Sequence, residues 1–220
     1  MIQTRRLSIT LSVYYSLLQP EGASPPDTVL MALHGFGQRC DHFIQLFEPL
    51  RTKDILVVAP QAPHPFYLKM NPKTVGFTWL TQYERDQAIR DFIGYMDRLL
   101  EELQRSEKIR PHRLFFLGFS QGVSMAYRYA VHGRYPVSGL IACGADLPPD
   151  VAERLPHIQP FPVLLIHGLE DAVVPLSKCL EAERILTRYR YPVETFHFQG
   201  GHKIPGEGIA LIGRWISARP

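Results

Sequence analysis

The sequence predicts an α/β domain with a mostly parallel central sheet and helices on both faces. Three observations predict it. Short apolar runs end in glycine or proline ("TVLMALHG", "DILVVAP", "HRLFFLG", "PVSGLIACG", "FPVLLIHG"), the pattern of strands buried on both faces. Between most of them stand segments with apolar residues at helical spacing. No linker, internal repeat or low-complexity tract divides the 220 residues, so one domain over 1–220 is expected.

The elements follow in order. Leu7, Ile9, Leu11, Val13 and Tyr15 alternate with Ser8, Thr10, Ser12 and Tyr14, a strand period rather than the continuous apolar core of a signal peptide. "QPEGASPPD" is a turn-rich connector to the strand Thr28–Gly35. Asp41 is expected to cap a helix through about Leu50, with Phe43, Leu46, Phe47 and Leu50 on one face. After "DILVVAP", Pro60 to Trp79 reads as a long connection without structure of its own, rich in proline and aromatics. Thr81 to Glu84 fits a T-x-x-E capping box before a long amphipathic helix with Ile89, Phe92, Ile93, Met96, Leu99, Leu100 and Leu103 inward. "QGVSMAYRYAVHG" and "PLSKCLEAERILTRY" read as further helices, "PVETFHF" as a last strand and "GEGIALIGRWISA" as a terminal helix.

Composition narrows the classes of function. The charge is +3, from 24 Lys+Arg against 21 Asp+Glu, and the basic residues form no run, so no nucleic-acid or membrane-surface patch is expected. No apolar run reaches membrane-spanning length. Cys40, Cys143 and Cys179 are odd in number and widely spaced, which fits a reducing, cytoplasmic setting better than a disulfide framework. The nine histidines lack ligand spacing, so no metal is expected.

The chemistry is concentrated at the carboxyl ends of the strands, where open sheets of this type place their sites. "GFSQG" is a G-x-S-x-G turn between a strand and a helix, with Ser120 at its tip as candidate nucleophile. A serine hydroxyl needs a base, and the base a carboxylate, in the chain order serine, acid, histidine. Asp171, in "HGLEDAVVP", is preferred as the acid over Glu170 and Asp146, and His202, in "GGHKIP", as the base. His197 lies inside a strand, and His167 precedes the acid and is expected to support the turn. A tetrahedral oxyanion needs two donors, and the Gln121 and Phe36 N–H groups are the candidates, the latter in the loop "LHGFGQ".

"LHGFG", "GFSQG", "HGLEDAVVP" and "GGHKIP", in this order, resemble the phospholipase/carboxylesterase family of α/β-hydrolases, which includes acyl-protein thioesterases. The resemblance runs from about Thr28 to Ile216. It implies an α/β-hydrolase fold without a large cap domain and action on carboxylic esters or thioesters with no cofactor. It also implies Ser120, Asp171 and His202 as the triad. Expected partners are a small acyl ester or thioester, lysophospholipids included, with no nucleic acid; a homodimer is left open. Phe36, Phe66, Tyr67, Phe77 and Trp79 are candidates to line an acyl groove, with Phe36, Phe77 and Trp79 placed at the substrate. The alternatives are a non-catalytic binding module on the same fold, and a peptidase or acyltransferase using the same serine.

Overall fold

The structure, a computed structural model, describes residues 2–22, 26–107 and 112–219. Seven strands form one sheet: β1 (Tyr15–Leu18), β2 (Thr28–Leu33), β3 (Ile55–Pro60), β6 (Arg113–Phe119), β7 (Gly139–Cys143), β8 (Val163–Gly168) and β9 (Val193–Phe198). They lie in the order β1-β3-β2-β6-β7-β8-β9, with β1 antiparallel and the rest parallel. Every residue of β2, β3, β7 and β8 is buried, which is why their sequences read as unbroken apolar runs.

Side chains alternate between two cores. Val29, Met31 and Leu33 of β2 face one core, shared with α2 (Arg85–Ser106), α3 (Gln121–His132), α4 (Pro149–Ala152) and α5 (Leu176–Arg188). Leu30 and Ala32 face the other, shared with α1 (Cys40–Phe43), the 3₁₀ segment Ile44–Leu50 and α6 (Gly206–Ser217). Each fully buried Leu, Ile or Phe contributes about 1.5–3 kcal/mol relative to exposure. All three cysteines are buried and unpaired.

The register aligns the strand ends that matter. Leu33 stands beside Gly118, Phe119 beside Cys143, and Gly168 beside Phe198. The loops after β2, β6, β7, β8 and β9 therefore leave the sheet at one edge. One ion-pair cluster ties the helices behind that edge. Arg128 of α3, its side chain 3% exposed, makes two bonds of 2.8 and 2.9 Å to Asp150 of α4. Asp150 also meets Arg85 of α2 at 3.1 Å. Burial pushes the Asp150 pKa up, but the bonds and charge of Arg128, then of Arg85, prevail and bring it down to about 2.

Several sequence expectations change. Leu7 to Tyr14 forms no strand: β1 begins only at Tyr15, paired with Pro60 at the end of β3, and beyond it β3 offers no further residues to pair with. Leu7, Ile9 and Leu11 are consequently exposed despite their alternation. The connector Gln19–Asp27 lies partly outside the described residues. The helix expected after Asp41 starts at Cys40 and tightens to 3₁₀ geometry from Ile44, with Pro49 inside, and Leu46 faces solvent. Pro60 to Trp79 is not structureless. It holds a two-stranded hairpin, β4 (His64–Met70) and β5 (Lys73–Thr78), whose mixed residue pattern hid its period. The capping box does not form: Thr81 Oγ1 accepts the Tyr83 N–H, and Glu84 enters α2 from a left-handed conformation.

Replacing Leu7, Ile9 and Leu11 together by serine should change the unfolding free energy by less than about 1 kcal/mol in total. Leu30→Ala should cost about 2–5 kcal/mol. Urea unfolding monitored by circular dichroism would check both, and a large loss in the triple variant would restore the buried-strand reading.

Candidate active site

The turn after β6 is dictated by close backbone approach. Ser120 has φ of 52° and ψ of −120°, a conformation that costs an L-residue about 1–3 kcal/mol. The residues two positions before and after it cannot carry side chains. A Cβ on Gly118 would lie 2.4 Å from the Val123 backbone, and one on Gly122 only 2.2 Å from the Leu33 carbonyl oxygen. The Ser120 N–H donates to the Cys143 carbonyl at 2.9 Å, fixing the turn to the end of β7. Ser120 is half-buried at the tip, and α3 starts at the next residue.

The loop after β2 runs beside it. A Cβ on Gly35 would lie 3.3 Å from Ser120 Cβ. The Gly35 N–H donates to Gln38 Oε1 at 2.7 Å, and the Gly37 N–H to the Phe77 carbonyl of β5 at 2.8 Å. Among the described residues, the N–H groups of Phe36 and Gln121 make no hydrogen bond. That is the condition expected of donors kept for an anion.

His34 holds this loop as a neutral ring. Nδ1 donates to the Gly35 carbonyl at 2.8 Å, and Nε2 accepts from Gln61 Nε2 at 2.8 Å and the Ala62 N–H at 3.1 Å. Burial brings its pKa down to about 4, against a smaller upward pull from the Gly35 carbonyl. Gln61 Oε1 in turn accepts the Cys40 N–H, so α1 is tied into the same network.

The acid and base loops interlock. The Leu169 N–H donates to the Phe198 carbonyl, and the Glu170 N–H to the Gly200 carbonyl, both at 2.9 Å. A Cβ on Gly168 would lie 2.4 Å from the Gly200 oxygen, so glycine is needed where the two loops cross. Asp171 Oδ1 accepts the N–H groups of Val173 and Val174, each at 2.9 Å. Oδ2 is left for His202 Nδ1, which donates at 2.7 Å. Burial pushes the Asp171 pKa up, but the bonds from Val174, His202 and Val173 outweigh it and hold the carboxylate below its usual range. The His202 ring lies on Phe119, centroids 4.9 Å apart, and on Gly144, where a Cβ would be 3.3 Å away. Its Nε2 and the Ser120 hydroxyl carry no hydrogen bond among the described residues.

Ser120, Asp171, His202, Phe36 and Gln121 thus gather at one edge of the sheet. The rival acids Glu170 and Asp146 are exposed. His167 sits beneath the acid loop, donating from Nε2 to the Val174 carbonyl at 2.9 Å and standing 3.7 Å from Asp171 Oδ2. His197 is half-buried within β9. The aromatic expectation needs correction. Trp79 is 0% exposed, donates its Nε1–H to the His34 carbonyl at 2.8 Å and packs on His34 and Phe92, so it is a core residue and lines no groove. Phe77 is half-buried against the same core. Phe36 is 57% exposed and its ring rests on Phe66, centroids 4.7 Å apart. Sequence reasoning missed Gln38, Gln61 and Thr78, polar residues whose partners are set only by folding. Among the described residues, no cluster of His, Cys, Asp or Glu could hold a metal ion, and no helix is long and apolar enough to cross a membrane.

Residues 20–219 match the family described as phospholipase/carboxylesterase. Acyl-protein thioesterase 1 of Emericella nidulans is 26% identical over 170 residues, 67% of this chain and 70% of that protein. The crystal structure of esterase PE8 superposes with a TM-score of 0.75 at 24% identity, covering 94% of this chain and 99% of that one. Zea mays acyl-protein thioesterase 2 gives 0.69 at 20%, covering 93% and 98%. The two structures share the α/β-hydrolase fold with this chain.

Two measurements test this geometry. Gly122→Ala should destabilise the fold by about 3 kcal/mol or more, because its methyl would meet backbone rather than a movable side chain; a neutral result would mean that the elbow is looser than described. His34 binds protons more readily unfolded than folded. Its contribution is therefore complete above pH 6.5 and is lost as the pH falls from there to about 4, up to about 3 kcal/mol. His34→Gln should flatten that part of the stability–pH curve, read by denaturant unfolding.

Proposed function

The chain belongs to the phospholipase/carboxylesterase family of α/β-hydrolases, and from that premise we propose that it is a serine hydrolase cleaving carboxylic esters or thioesters through an acyl-serine. Ser120 is the nucleophile, His202 the base and acid, and Asp171 the group that orients the imidazole. The observation that carries this reading is the 2.7 Å bond from His202 Nδ1 to Asp171 Oδ2, with the ring laid against Phe119, the residue preceding Ser120.

That bond fixes the tautomer. With the proton on Nδ1, Nε2 is a free base, and substrate binding brings it and the serine hydroxyl into hydrogen-bond distance. Ser120 Oγ attacks the acyl carbon while its proton passes to Nε2. The carbonyl π pair moves to the oxygen, which takes the N–H groups of Phe36 and Gln121. The positive end of α3 adds to the same stabilisation. Collapse expels the alcohol or thiol, which receives the proton from His202. Water, deprotonated by the same ring, then releases the acid. Asp171 remains ionised throughout, consistent with its lowered pKa.

Phe36, exposed in the oxyanion loop, and Phe66, half-buried against its ring, are proposed to receive the acyl chain. The thioesterase relative supports thioesters beside oxygen esters as the substrate class.

A fluorophosphonate probe should label the wild type and not Ser120→Ala, by intact-protein mass spectrometry. Asp171→Asn should lower kcat on p-nitrophenyl acyl esters by about three to four orders of magnitude. A labelled Ser120→Ala protein, or an Asp171→Asn variant with full activity, would remove the triad assignment.

A further inference from the structure

We propose that the Gln121 side chain is a positioning residue that sets the two halves of the oxyanion hole against each other by gripping the exit of the β4–β5 hairpin; this rests on the serine-hydrolase reading above. The amide is committed on both sides. Its Oε1 accepts the Trp79 N–H at 3.1 Å. Its Nε2 donates to the Thr78 hydroxyl at 2.8 Å and to the Leu80 carbonyl at 3.0 Å. Thr78, itself buried, donates a hydrogen bond from its hydroxyl to the same Leu80 carbonyl at 3.0 Å. Three consecutive residues are thus bound by one side chain, whose backbone N–H is one of the two expected oxyanion donors.

The same short segment holds the other donor. Phe77, one residue before Thr78, accepts the Gly37 N–H, which fixes the peptide following Phe36. Trp79 Nε1 donates to the His34 carbonyl, two residues before Phe36. The hairpin also covers this loop. A Cβ on Gly76 would lie 2.6 Å from the Gly37 oxygen, and one on Gly37 would lie 2.9 Å from Leu68. Phe36 and Phe66 rest ring on ring. Phe77 to Leu80 is therefore a strut with the Phe36 loop attached to one end and the Gln121 amide to the other. Among the described residues, no hydrogen bond joins the Phe36 loop directly to Gln121. A small misplacement matters, because the donors must sit at about 2.7–3.1 Å from the oxyanion rather than from the ground-state carbonyl.

The strut acts on the transition state and not on substrate capture. Replacing Gln121 by Met, of similar length but without the amide, should lower kcat about 10–100-fold and leave KM near the wild-type value. The discriminating readout is an alkyl trifluoromethyl ketone. Ser120 Oγ bonds to its carbonyl carbon, the π pair becomes an oxyanion in the hole, and the serine proton passes to His202. Its Ki should rise in Gln121→Met by about the factor lost from kcat, with active sites counted by fluorophosphonate. Partial unfolding would lower the active fraction without moving Ki. Thr78→Val, tested alone and with Gln121→Met, should be non-additive, because both changes remove the bond from Gln121 Nε2 to Thr78 Oγ1. If Gln121→Met keeps wild-type kcat and ketone Ki, or if the two substitutions are additive, the proposal is wrong while the hydrolase reading stands. If the wild type neither labels nor turns over esters, the hydrolase reading itself fails.

Discussion

The fit of α3 beneath the end of β2 governs the geometry of this edge. Gly122 lies so close to the Leu33 and His34 carbonyls that no side chain fits between them. With Leu33 and Gly118 in register on neighbouring strands, the chain leaving β6 has to reverse at once. Ser120 absorbs the reversal in a conformation that L-residues avoid. The consequence is chemical as well as geometric: the start of α3 and the loop after β2 are pressed to within van der Waals contact. On the proposed reading, that contact is what lets the N–H groups of Phe36 and Gln121 serve one oxyanion.

On the other side of the serine the logic is division of labour within a carboxylate. Asp171 Oδ1 is saturated by its own turn, which leaves Oδ2 with one partner and one direction. His167 steadies that turn from below through the Val174 carbonyl. Two histidines at this edge have opposite settings. His34 is buried with both nitrogens committed and burial disfavours its charged form, so it works as a brace. His202 is partly exposed and commits only one nitrogen among the described residues, the setting that the proposed proton transfer calls for.

Much of this was legible because the chemistry imposes local sequence. A strand buried on both faces must be apolar throughout, and the crowded elbow admits only glycine two residues before and two after the serine, so β6, Ser120 and α3 could be read directly. Asp171 and His202 followed from their places just beyond strand ends. What stayed hidden depends on partners distant in the chain. The alternation from Leu7 to Tyr14 is a strand pattern without a neighbouring strand, because β1 uses up the free edge of β3 at Pro60. Trp79 read as a candidate wall of an acyl groove in a proline-rich segment. Its indole N–H finds the His34 carbonyl 45 residues earlier, and that bond carries it into the core. The hairpin was obscured because its strands are largely solvent-exposed, where hydrophobic period gives no signal.

The three thiols have a practical bearing. Cys40, Cys143 and Cys179 are all buried, and burial raises each above the ordinary thiol pKa, that of Cys179 to about 12. Cys143 closes the strand whose carbonyl holds the Ser120 amide, yet its sulfur has neither the access nor the thiolate character that alkylation demands. Electrophiles offered to the folded chain thus find no accessible thiolate at these three positions. Maleimide uptake becomes a gauge of how often the interior opens, recorded from the same sample in which a phosphonate counts intact serine sites.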